Sequence, residues 1–318
     1  MSSFQYPLIL WIWAFWFPII HHLATHHPDI NFYAYEKDTS VQEYLKQHRF
    51  HPYFYKDIRL PENVILVENI EEVYSKTSLI IFAIPNQFIE RSLEWIFPHI
   101  WKETYILNLS KWINNISLRT VSDSVFELFW GLQNYAVLSG GMIASELMEW
   151  KKLGADIASL NDSFSESLKV LFESPNLLIH TYNNPKAVEL FGALKNIYAL
   201  YIGYLEWCWY GFSTIGYHFC ELTHDIKKII QNLGWGNGFD IEQFSLGGDI
   251  LATCFGNSRN RYFGKLIGEG MSIEEGLSIL KSENKHAEGY ETLKWVKTFI
   301  TGKEDQYKEL LRVIDIFL

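Results

Sequence analysis

The spacing of apolar and polar positions changes near residue 184. Before it, short apolar runs of strand character recur at Leu8–Ile12, Asn31–Tyr35, Leu79–Ile84, Tyr105–Leu109, Tyr135–Leu138 and Asn176–His180. Between them, apolar residues three and four apart mark helices at Val41–His48, Gln87–Ile96, Leu118–Phe129 and Asp162–Phe172. Strands alternating with helices predict an α/β domain over residues 1–184, a doubly wound parallel sheet with right-handed crossovers. Asn183-Asn184-Pro185 then punctuates the chain. Beyond it only helical spacing recurs, at Ala187–Leu205, Gly211–Leu233, Arg259–Ile267, Ile273–Leu280, Glu291–Ile300 and Asp305–Ile316. An all-helical domain over 185–318 is expected, with no internal repeat, low-complexity tract or long linker.

The first apolar run, Pro7 to Ile20, raises the question of a membrane. It has 14 residues, fewer than the ~20 a spanning helix needs. No Lys or Arg precedes it, so the charged start of a signal peptide is missing. A buried first strand of a parallel sheet explains it better. Hydrophobic residues make up 48% of the chain and charged residues 20%, which predicts a sizeable globular core. The net charge of −10 argues against nucleic acid as a partner, since phosphate backbones select basic surfaces. It leaves room for a small anionic metabolite, which a few local cations can hold. Cys208, Cys220 and Cys254 are few, odd in number and widely spaced. They suggest a reducing compartment, the cytoplasm, and no zinc cluster.

The turn after the first strand reads Trp11-Ile12-Trp13-Ala14-Phe15-Trp16, and Glu36 follows the second strand 20 residues after Trp16. With glycine at 11, 13 and 16 this would be the G-x-G-x-x-G dinucleotide fingerprint of a Rossmann-type domain, and Glu36 its ribose-binding carboxylate. Indole cannot replace glycine there. The first position needs a tight turn, the second lets backbone touch pyrophosphate, and the third packs helix on strand. Lys37 beside Glu36 could meet a 2′-phosphate, so NAD and NADP both stay open; Glu36-Lys37 could also be an ordinary surface pair.

Further motifs follow in order: Ala83-Ile84-Pro85, Ser110-Lys111, Ser139-Gly140 with Ala144 and Glu146, Gly192-Ala193-Leu194-Lys195-Asn196, Gly247-Gly248-Asp249 with Thr253, Ser258-Arg259-Asn260-Arg261-Tyr262-Phe263-Gly264, and Glu288-Gly289-Tyr290. Together they resemble the NAD(P)-dependent glycerol-3-phosphate dehydrogenase family over nearly the whole chain. The resemblance implies interconversion of sn-glycerol 3-phosphate and dihydroxyacetone phosphate with NAD or NADP, in the service of glycerophospholipid synthesis. It implies Lys195 as the general acid–base at the C2 oxygen, which requires a lowered lysine pKa. Lys111 becomes a second active-site lysine touching substrate and cofactor. Asp249 and Thr253 hydrogen-bond the catalytic lysine and the substrate, and Asn196 orients it. Ser258, Arg259 and Asn260 match the phosphate clamp, and Gly140 offers a backbone N–H to the substrate. Trp11, Trp13, Ala14, Phe15, Trp16, Glu36, Lys37, Pro85, Ala144, Arg259 and Glu288 match positions that line the cofactor. A phosphorylated small molecule is the implied partner, and a homodimer stays open because the C-terminal region is shorter than in typical members.

Plainer readings compete. Asp249 after two glycines could be a helix N-cap. His22 and His26 have the i,i+4 spacing of metal ligands, but no third ligand is near, so a helix surface is expected and no metal. The larger departure is tryptophan: positions 11, 13, 16, 112, 150, 207 and 209, seven of the twelve, are glycine in the family pattern. UGA is read as glycine in some genetic codes and as tryptophan in others, so a gene of the first kind decoded by the second gives this pattern. The alternative is a non-catalytic pseudoenzyme of the same fold.

Overall fold

The computed structural model describes residues 4–10, 15–82, 84, 88–96, 98, 100, 103–111, 113, 119–129, 131–233, 240–283 and 285–318. The chain forms two compact units. Residues 1–110 and 121–185 make the first; residues 111–120 and 186–318 make the second. The second unit therefore takes ten residues, Lys111–Thr120, from within the span expected to be purely α/β.

The first unit is built on eight strands: β1 (Leu8–Leu10), β2 (Phe32–Tyr35), β3 (Val64–Val67), β4 (Leu79–Phe82), β5 (Tyr105–Asn108), β6 (Tyr135–Ser139), β7 (Leu153–Ser159) and β8 (Leu177–Tyr182). Their order is β3-β2-β1-β4-β5-β6-β7-β8. Strands β1 to β6 run parallel, so the order reverses between β1 and β4, where open α/β sheets bind ligands. The sheet is parallel except at one junction near an edge: β7 runs antiparallel to β6, and β8 runs parallel to β7. β1, β4 and β6 are buried along their length, as strands covered on both faces must be. β7 was not expected because Leu153-Gly154-Ala155-Asp156-Ile157-Ala158-Ser159 is mostly small and carries an acid, a weak strand signal. Those small residues let the end of β6 come close: a Cβ at Gly140 would lie 2.7 Å from the Gly154 carbonyl oxygen.

The helix Trp16–His26 carries the histidines, and they serve the fold. His22 Nε2 bonds the Phe172 carbonyl at 2.9 Å and His27 Nε2 the Leu171 carbonyl at 2.8 Å, satisfying the last turn of the helix Asp162–Phe172. Burial pushes the His22 pKa down to about 4, against the opposing pull of the Phe172 carbonyl. His22 thus stays neutral in the folded protein while an unfolded chain binds a proton near 6.5. Stability is expected to fall as pH drops from 6.5 toward 4, by up to about 1.4 kcal/mol per pH unit. Urea unfolding of the protein and of His22→Gln across this range checks it; an equally steep loss in the variant would assign the effect elsewhere.

The second unit is helical. Its centre is the helix Pro185–Trp207, buried continuously from Ala187 to Gly203 and apolar almost all round, as an enclosed helix must be. Around it lie the helices Phe212–Asn232, Asp249–Phe255, Arg259–Gly268, Ile273–Ser282, Glu288–Ile300 and Lys308–Phe317. A π-helical turn, Phe244–Gly248, leads into the helix Asp249–Phe255; the turn was not expected, being short and glycine-bearing. Among the described residues no helix is long and apolar enough to cross a membrane.

Three helices end in the same way. After Arg259–Gly268, Gly270 takes φ +95°, its N–H bonding the Ile267 carbonyl while Met271 N–H bonds Leu266. After Ala144–Met148, Trp150 takes φ +58°, with Trp150 N–H on Leu147 and Lys151 N–H on Glu146. After Pro185–Trp207, Trp209 takes φ +61°, with Trp209 N–H on Glu206 and Tyr210 N–H on Leu205. This is the Schellman pattern, whose left-handed residue is usually glycine because a Cβ is strained there. Two of the three carry tryptophan.

Candidate active site

A charged cluster lies inside the second unit. Lys195 stands on the central helix, 7% exposed, in a stretch whose neighbours are nearly all apolar. Its Nζ donates to Asp249 Oδ1 and, at 2.8 Å, to Thr253 Oγ1. Asp249 and Thr253 are four apart on the helix Asp249–Phe255, so both side chains leave the same face. The other oxygen of Asp249 accepts from Lys111 Nζ at 2.5 Å. The N-cap reading of Asp249 is thereby replaced: Gly248 is the cap, Asp249 is the first helical residue, and its carboxylate bridges two lysines.

The electrostatics of this trio are unequal. Burial pushes the Lys195 pKa down, Asp249 opposes, Lys111 adds to the lowering, and the balance rests at about 8. Removing an ammonium from water disfavours its charge, and a second ammonium nearby disfavours it further. A lysine that exchanges its proton near neutral pH is suited to acid–base work.

A second group adjoins the first through Asn196. Asn196 Nδ2 donates to Glu288 Oε2 at 3.4 Å, and Arg259 Nη2 meets Glu288 Oε1 at the same distance. Asn260 Oδ1 accepts the Gly289 N–H at 2.8 Å. Ser258 caps the helix Arg259–Gly268, its side chain accepting from Arg261 N–H. The Arg259 side chain is half exposed, so a guanidinium fork is available to an anion. Lys111, Lys195, Asn196, Asp249, Thr253, Ser258, Arg259, Asn260 and Glu288 therefore all belong to one unit.

The remaining expected residues belong to the first unit. Glu36 follows β2, 2% exposed, and its Oε1 accepts the Asp38 N–H at 2.9 Å; Lys37 is exposed. Ser110 Oγ accepts the Ile84 N–H, tying the chain after β4 to the chain after β5. Gly140 follows β6 and Ala144 begins the helix Ala144–Met148. Phe15 precedes Trp16, which is 1% exposed in the core of this unit. Trp11, Trp13, Ala14, Pro85 and Trp112 lie outside the described residues.

Comparisons with known proteins bear on family and fold. A model of the NAD-dependent glycerol-3-phosphate dehydrogenase N-terminus matches residues 17–165, and one of the C-terminus matches residues 184–316. The chain is 30% identical over 237 residues to the glycerol-3-phosphate dehydrogenase (NAD(P)+) of Syntrophomonas wolfei, covering 73% of this chain and 68% of that protein. It is 32% identical over 241 residues to the chloroplastic glycerol-3-phosphate dehydrogenase (NAD(+)) of Oryza sativa subsp. japonica, covering 75% of this chain and 54% of the rice protein. Its fold is that of the glycerol-3-phosphate dehydrogenases of Coxiella burnetii (TM-score 0.84, 20% identity, 98% of this chain and 94% of the other) and Plasmodium falciparum (0.89, 17%, 99% and 91%). Sheet, helical unit and matches together define an NAD(P)-linked oxidoreductase of the Rossmann-type class. Within that class, the chain belongs to the NAD-dependent glycerol-3-phosphate dehydrogenase family.

Proposed function

We propose that the chain is built to interconvert sn-glycerol 3-phosphate and dihydroxyacetone phosphate, as a cytoplasmic enzyme feeding glycerophospholipid synthesis. The observation that carries this is the buried Lys195–Asp249–Lys111 trio, with Thr253 on the same amine. In ketone reduction, Lys195 as ammonium gives its proton to the C2 oxygen as the bond to hydride forms. In alcohol oxidation, the neutral amine takes that proton back. A bound nicotinamide supplies or accepts the hydride. Asp249 holds both amines in place, and burial, with Lys111 adding to it, keeps the Lys195 pKa low enough for either direction. Arg259 and Asn260 take the phosphate, Arg259 exchanging its long contact with Glu288 for a doubly charged ligand.

For the cofactor, the fit is divided. Glu36 at the end of β2, beside the point where strand order reverses, suits a ribose diol. Indole at 11 and 13 does not suit a pyrophosphate. We infer that glycine belongs at the seven tryptophan positions. The left-handed backbone at Trp150 and Trp209 supports this, and so does the N-terminal family match, which begins at residue 17, directly after the tryptophan run. Tryptophan codons UGG at all seven sites would instead favour the pseudoenzyme.

The clamp has its own test, in the variant with glycine at these positions. Arg259→Ala is expected to raise KM for dihydroxyacetone phosphate by roughly ten- to a hundredfold, the loss of one charge-assisted contact, and to affect unphosphorylated dihydroxyacetone far less. Steady-state assays of nicotinamide absorbance on both substrates check it. Equal losses on the two would remove Arg259 from the clamp.

A further inference from the structure

The first turn of the helix Arg259–Gly268 carries the proposed clamp, and two contacts with the central helix bear on its placement, besides Lys265 over the Trp207 ring toward the helix's far end. One is a close crossing without side chains between. A Cβ at Gly264 would overlap the Leu200 carbonyl oxygen and lie 2.9 Å from Tyr204 N, and a Cβ at Gly203 would overlap the Arg261 carbonyl oxygen. Backbone resting on backbone allows a short separation but offers little to stop one helix sliding on the other, because no side chain fits into a facing groove.

The other contact is directional. Arg261 Nε and Nη2 both reach Glu206 Oε2, at 2.9 and 2.8 Å, and the pair is partly buried. On a helix, residues 259 and 261 differ by about 200°, so Arg261 anchors one face while Arg259 is presented on the other. Glu206 lies 11 residues after Lys195 on the same helix, close to three full turns, so the two share a face about 16 Å apart. One rigid helix thus carries both the acid–base amine and the carboxylate that holds the clamp's turn.

We propose that Glu206 and Arg261 form a positioning pair that sets the distance between the phosphate clamp and Lys195. The proposal rests on Arg259 and Asn260 being that clamp. Neither member of the pair touches substrate. The Glu206 carboxylate also occupies the Arg261 guanidinium, so that Arg261 does not draw the phosphate to the wrong face. A misplacement near 1 Å from a change remote from the chemistry slows a reaction by on the order of a hundredfold, so an ion pair away from the ligand can matter to the site.

The test uses the full-length chain and isothermal titration with sn-glycerol 3-phosphate, inorganic phosphate and glycerol, at a temperature well below every unfolding midpoint. Glu206→Gln and Arg261→Met are each expected to weaken sn-glycerol 3-phosphate binding by roughly tenfold, and the double variant by no more than either single, since both break the same contact. Glu206→Asp, which keeps the charge, should recover part of the loss. Inorganic phosphate, which has no C2 oxygen to align, should lose less than sn-glycerol 3-phosphate. A merely structural pair would lower the unfolding midpoint and leave the affinity of the folded chain unchanged; that result overturns the proposal. Additive losses in the double variant would overturn it too. The clamp reading is read separately: if Arg259→Ala binds sn-glycerol 3-phosphate as the parent does, or the parent binds it no better than glycerol, the clamp itself fails and the pair has nothing to position.

Discussion

The variant combining Trp11→Gly, Trp13→Gly, Trp16→Gly, Trp112→Gly, Trp150→Gly, Trp207→Gly and Trp209→Gly is expected to reduce dihydroxyacetone phosphate with NADH or NADPH, and the tryptophan chain is expected to show no measurable turnover. The proposed acid–base trio and phosphate clamp are the same in both; what changes is the turn proposed to receive pyrophosphate. Titration with either dinucleotide should show binding appear in the variant, and absorbance of the reduced nicotinamide should follow turnover. Low-micromolar binding to the unaltered chain, or a folded variant without turnover on either cofactor, would reject the reading. The single reversions should not behave alike. Trp209 is 88% exposed with left-handed backbone, so Trp209→Gly relieves strain of about 1–2 kcal/mol and uncovers little. Trp150→Gly should gain less, because the Trp150 ring also packs 5.3 Å from His26. Trp16 is 1% exposed, and emptying that volume should cost about 3–5 kcal/mol unless the helix it begins moves onto the sheet. Thermal unfolding of the three single variants separates these signs.

In the glycine-bearing enzyme, Lys195→Met is expected to lower kcat by about 10²- to 10⁴-fold, with a much smaller change in KM. The pH dependence is the more specific test. With Lys195 at about 8, reduction of the ketone needs the ammonium and should fall as pH rises through 8. Oxidation of the alcohol needs the free amine and should rise through the same range. Lys111 lowers the Lys195 pKa and Asp249 raises it. Lys111→Gln should therefore carry both profiles to higher pH, and Asp249→Asn to lower pH. Profiles from single-turnover kinetics, where product release does not mask the chemistry, decide it. Unmoved profiles in both variants would take the trio out of the proton transfer.

What the linear chain disclosed depended on how local each feature was. The helix Asp162–Phe172 matches its expected bounds because its signals are all nearby: Asn161 caps it through the Phe164 N–H, and Phe164, Leu168, Leu171 and Phe172 fill one face. The central helix was legible from its length and apolarity. β7 and the turn into Asp249–Phe255 were not, since both consist of residues whose own preferences are weak and whose conformation comes from what packs on them. The site divides similarly. Lys195 and Asn196 stand out as polar residues in an apolar helix. The meeting of Lys195 with Asp249, 54 residues on, has no periodic signature and entered only through family resemblance.

The ten residues after Ser110 have a consequence for how this protein is made. Lys111 belongs to the helical unit, yet the carboxylate that holds it lies 138 residues later. On a ribosome moving at ~5–20 residues per second, roughly 10–30 s pass between the two. Through that interval Lys111 lacks the Asp249 carboxylate that it bonds in the folded chain. A split of the gene at 184/185, natural or engineered, would give a second polypeptide lacking Lys111. Its Lys195 would face Asp249 alone and hold its proton to higher pH. A cut that keeps the trio together would have to leave Lys111 with residues 186–318.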